Sequence, residues 1–67
     1  MNNDKDKIAH VAHQLRNPLN TISINAELAR LQLQKQQDPQ DILLSIERIL
    51  QECKRCALLL DELNPSG

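Results

Sequence analysis

Ile42, Ile46, Ile49, Cys53, Cys56, Leu60 and Leu63 follow one another in alternating steps of four and three residues, without a break. A seam of that period belongs to a helix lying along another helix. A half-buried strand would instead alternate every second residue. Leu43, Leu50 and Ala57 widen one flank of the seam, so this helix is expected to touch more than one neighbour. Just before it, Asp38-Pro39-Gln40-Asp41 supplies a helix start. Asp38 suits the N-cap, Pro39 the first helical position, and Asp41 the place of a capping-box acid. Asn64-Pro65-Ser66-Gly67 supplies the stop.

The first half reads as a second helix. Ile8, Val11, Leu15, Leu19, Ile22, Ala26, Ala29 and Leu33 recur at steps of three and four, with a phase slip around Leu15. Asn3 or Asp4 is expected to cap it, with Asp6 in its first turn opposing the positive end of the dipole. Lys35-Gln36-Gln37 closes it in polar residues. The chain is thus expected to form a helix over about residues 4–36, a turn over about 37–39 and a helix over about 39–63. A turn this short forces the two helices antiparallel. The fold class is all-α, a helical hairpin. With 67 residues and no aromatic side chain, one hairpin buries too little surface, so dimerisation into a four-helix bundle is expected.

Composition removes several functions. A net charge of −1 carries no basic footprint for nucleic acid. No apolar run approaches a membrane span and no signal peptide opens the chain, so no direct membrane contact and a cytoplasmic location are expected. The one glycine is Gly67, which leaves no glycine-rich phosphate loop and no nucleotide or other cofactor site. The chain reads as one part of a larger protein. Cys53 and Cys56 lie on the second seam, where free cysteine acts as a small hydrophobe. They share no zinc spacing with His10 or His13, and they sit too deep in the helix for a redox pair, so no metal site is expected.

One stretch breaks the helical pattern: His13-Gln14-Leu15-Arg16-Asn17-Pro18-Leu19. Proline inside a helix removes a ladder donor and crowds the preceding turn, and such local inconsistencies concentrate at functional sites. On a wheel of about 100° per residue, His13 lies about 160° from the centre of the local seam, on the solvent side. A solvent-facing imidazole is in good part neutral at pH 7, and so nucleophilic. Asn17 and Asn20 follow on nearly the same side, with Arg16 close by. His10 stands one turn before His13, outside this cluster, and reads as a solvated bystander.

The stretch resembles the phosphoacceptor box of the dimerisation and histidine phosphotransfer domain of bacterial sensor histidine kinases, the phosphotransferases of two-component signal transduction. That box has a histidine, an acid next, an amide or hydroxyl four residues after the histidine, and proline five after it. His13, Gln14, Asn17 and Pro18 occupy these places, with Gln14 departing from the acid. The resemblance implies that His13 receives a phosphoryl group from ATP, bound with Mg on a separate catalytic domain, and passes it to an aspartate on a response-regulator receiver domain. It implies that an acid in the place of Gln14 takes the histidine's proton; an amide cannot do so near neutral pH, but it can serve as a hydrogen-bonding partner that orients the imidazole. It gives Asn17 the task of orienting water against the regulator's phosphoaspartate. It also places the regulator against Asn20, Thr21, Ile24, Asn25 and Leu28.

The residues support that last placement in their own way. Ile24, Leu28 and Leu31 lie about opposite the first seam, on the side of His13, and a row of exposed branched residues marks a contact. The rival reading is a helical hairpin used only for dimerisation or scaffolding. It leaves Pro18 and the polar cluster about His13 without a reason. A monomeric histidine phosphotransfer bundle would need four helices in one chain.

Overall fold

In a computed structural model, which describes residues 3–63, the chain forms two helices: α1, Asn3–Gln34, and α2, Pro39–Asp61. The stop expected at Asn64–Gly67 lies outside the described residues. α1 already includes Asn3 and Asp4, so neither stands before the helix as its cap; Asp4 and Asp6 are both in the first turn. No strand occurs among the described residues, and none of their helices is long and apolar enough to cross a membrane.

α1 closes two residues before the expected position, and the reason is local. Gln36 has a φ of 55°, in the left-handed region. Its N–H donates to the Leu33 carbonyl at 3.1 Å, and the Gln37 N–H donates to the Gln32 carbonyl at 2.9 Å. This pair of bonds is a Schellman closure, which satisfies the last carbonyls of the helix and is most often built on glycine. A glutamine there strains the backbone by about 1 kcal/mol. Asp38 then starts α2, but its carboxylate accepts from the Gln40 N–H at 3.0 Å and not from Asp41 as a capping box would have it. Pro39 stands at the first helical position, where its missing N–H costs nothing. At the far end Glu62 and Leu63 donate to Leu59 and Leu60, three residues back, so the last turn tightens and α2 closes at Asp61.

The two helices lie antiparallel in a slab of 54 × 19 × 10 Å, about one helix thick. The covered face of α1 runs through Val11, Leu15, Pro18, Ile22, Asn25, Ala29 and Gln32, and that of α2 through Ile42, Ser45, Ile49, Glu52, Cys56 and Leu59. Val11 and Pro18 are fully buried. Ser45 Oγ donates to Gln32 Oε1 at 3.0 Å, which links the helices next to the turn.

This corrects the expected seams. Val11, Leu15, Ile22 and Ala29, with Ile42, Ile49 and Cys56, do face the neighbouring helix. Leu19, Ala26, Leu33, Ile46, Cys53 and Leu60 do not; they are exposed. Their places in the contact are taken by Pro18, Asn25, Gln32, Ser45, Glu52 and Leu59. Apolar periodicity merged two adjacent faces into one stripe, because the intrachain contact is partly polar and the free face beside it is apolar.

Candidate functional site

α1 runs through Pro18 without a break. Having no N–H, Pro18 leaves the Gln14 carbonyl without its ladder donor, directly beside His13. The proline ring is buried against α2, so it pins this part of α1 with its opposite face outward. His13, Gln14, Asn17 and Asn20 are all exposed on the outward side.

A groove of about 310 Å³ opens there, lined by His13, Gln14, Arg16 and Asn17 from α1 and by Arg55 and Leu59 from α2. Its charged groups are two guanidiniums; no carboxylate lines it. Among the described residues the one ion pair is Arg30–Glu27, at 2.7 Å, so neither Arg16 nor Arg55 is neutralised by a carboxylate there. The Arg30 guanidinium, through its hydrogen bonds and its charge, holds the Glu27 carboxyl below the usual range, but that pair is fully exposed and contributes little. An imidazole set among two cations and two amides suits attack on a centre that carries negatively charged oxygens.

Farther along, Asn20 and Ile24 are exposed, Thr21 and Asn25 half-buried and Leu28 exposed. Asn25 turns toward α2 and donates from Nδ2 to the Thr21 carbonyl at 2.8 Å. Asn25 and Leu28 line a second groove of about 310 Å³, with Leu44, Ser45 and Arg48 across it on α2. Ile24, Leu28 and Leu31 border a third hollow and stand 59%, 43% and 42% exposed, so the stripe on the His13 side is free of the hairpin contact.

His10 is exposed and does not line the groove of His13. Cys53 is exposed, Cys56 half-buried and both are free thiols. No group of three or more potential metal ligands occurs among the described residues. Sequence reasoning missed the contributions of α2: Arg55 and Leu59 in the first groove, Leu44 and Arg48 in the second. Pairing residues equidistant from the turn would have found them.

Residues 5–65 match the family model HisKA, the His Kinase A (phospho-acceptor) domain. No curated protein and no solved structure matches the chain.

Proposed function

The chain belongs to the His Kinase A (phospho-acceptor) domain family, and from that premise we propose that residues 1–67 form the phosphoacceptor and dimerisation domain of a sensor histidine kinase, with His13 as the acceptor. The observation that carries this reading is the groove in which an exposed His13 stands among Gln14, Asn17 and two unneutralised arginines, inside the matched segment. The neutral imidazole nitrogen bonds to phosphorus as the bridging bond of the donor breaks. The donor is ATP with Mg, held on a separate catalytic domain of the parent kinase. The second step reverses the first: the phosphoryl group leaves His13 for a carboxylate oxygen of a receiver-domain aspartate. Asn17, one turn from His13, is in reach to orient water against the phosphoaspartate. Asn20, Thr21, Ile24, Asn25 and Leu28 form the regulator's side of α1, where docking supplies the proximity that transfer requires.

Dimerisation follows from the distribution of apolar residues. Ile8, Leu19, Leu33, Ile46, Leu50 and Leu60 are exposed on the face that α1 and α2 share outside their own contact. The hairpin contact itself holds Asn25, Gln32, Ser45 and Glu52. A chain whose hairpin contact is partly polar while many of its leucines stand exposed is incomplete alone, and a second copy offers a matching face. A pure scaffold would explain this face equally well. It would not explain the groove of His13.

The test is incubation with a histidine-kinase catalytic domain, ATP and Mg. Acid-labile phosphate is expected on the native chain and on His10→Ala, and none on His13→Ala. Equal labelling of His13→Ala would reject the proposal.

A further inference from the structure

We infer that Arg55, carried on α2, is a phosphoryl-binding residue that holds the oxygens of the group transferred to His13. The inference rests on His13 being the acceptor and adds a residue from the other helix to its site.

Three observations lead to it. Arg55 lines the groove of His13, Gln14, Arg16 and Asn17, with Leu59, one turn on along α2, as the apolar wall beside it. Arg55 and Arg16 have no carboxylate partner among the described residues, although Glu52 stands three residues before Arg55 on the same helix. Glu52 is half-buried on the α1–α2 contact, while Arg55 is exposed toward the groove. Finally, Gln14, next to His13, brings an amide and not an acid to the groove. With an amide there, the groove presents two positive charges and no negative one.

A phosphoryl group on imidazole is a dianion with three acceptor oxygens. A guanidinium offers a planar fork of donors that engages two such oxygens together, with a charge that solvent exposure does not titrate away. Arg16 alone comes from the same helix as His13. Arg55 closes the groove from the opposite side, so the acceptor site is complete only when the hairpin is folded.

The 67-residue chain can be tested with phosphoramidate, which needs no catalytic domain. In that reaction the phosphorus–nitrogen bond of the donor breaks as an imidazole nitrogen of His13 bonds to phosphorus. The amine leaves with the imidazole proton, as ammonium. Mass spectrometry follows the rate, and ³¹P NMR follows the pH at which the phosphoryl dianion of phosphohistidine takes up a proton. Arg55→Ala and Arg55→Gln are expected to slow phosphorylation roughly three- to tenfold, the size of an exposed charge-assisted bond. They should also move the ³¹P midpoint to higher pH, since a lost cation disfavours the dianion. Arg55→Lys should keep the midpoint near that of the native chain while losing part of the rate, an outcome that a merely structural role would not produce. Circular dichroism identifies a variant that has lost its helices, and the remaining two then decide. If His13 is phosphorylated and the folded variants match the native chain in rate and midpoint, the role of Arg55 is overturned. If the native chain takes no phosphoryl group on His13, the phosphoacceptor reading fails and the role of Arg55 falls with it.

Discussion

Gln14 follows His13 directly and stands exposed in the same groove. Its amide orients an imidazole by hydrogen bonding but takes up no proton near neutral pH. A carboxylate at this position would serve as general base while phosphorus is attacked. Gln14→Glu is therefore expected to raise the rate of phosphorylation by a supplied catalytic domain, on the order of ten- to a hundredfold. An unchanged rate, followed by acid-labile phosphate, would show that orientation alone suffices. The position of His13 was legible from the sequence because an angular count along one helix needs no partner. Arg55 called for a different count, since its place beside His13 depends on how α2 returns past α1 across the turn, and no spacing within α1 carries that information.

At the level of the helices, the hairpin was legible for a similar reason: Asp38-Pro39 marks a restart, and each segment keeps a helical period. The contact between the helices was legible only in its apolar members, Val11, Leu15, Ile22, Ala29, Ile42, Ile49 and Cys56. Pro18, Asn25, Gln32, Ser45 and Glu52 line it, and no apolar pattern points to them. The left-handed residue at the end of α1 was equally hidden, because no glycine marks it. Gln36 adopts that conformation at a cost that glycine would avoid. Gln36→Gly is expected to stabilise the chain by about 0.5 kcal/mol or less, the relief being largely offset by the greater freedom of glycine in the unfolded state. A raised urea midpoint with an unchanged slope is the measurement that checks it.

For the molecule as a whole, the two apolar sides of the slab make different demands. Leu60 is 49% exposed on the side proposed for a second copy, and Ile24 and Leu28 are exposed on the side of His13. Leu60→Asp would bury an unpaired charge in the dimer and is expected to shift the mass found by light scattering toward the monomer. Ile24→Asp or Leu28→Asp should leave that mass and the phosphorylation of His13 intact while blocking transfer to the receiver domain. Loss of helicity in the latter pair would make their stripe part of the core.

The Gln32–Ser45 bond joins residues thirteen apart in the chain, next to the turn. Toward the other end, each facing pair is more distant in sequence, until Ile8 and Leu63 border one hollow. Closing each successive pair therefore encloses a longer loop, at about 0.6 kcal/mol for every doubling of its length. On that entropic ground the hairpin is expected to close from the turn outward and to open from the other end, with the buried Val11 and Pro18 resisting the opening. Amide hydrogens should thus exchange slowly around Ala29 and Ser45 and progressively faster toward Val11 and Leu59, which hydrogen-exchange mass spectrometry can read. If His13 is the phosphoacceptor proposed above, it stands in the half of the hairpin expected to open first, where the motion that lets one protein leave and another arrive costs least.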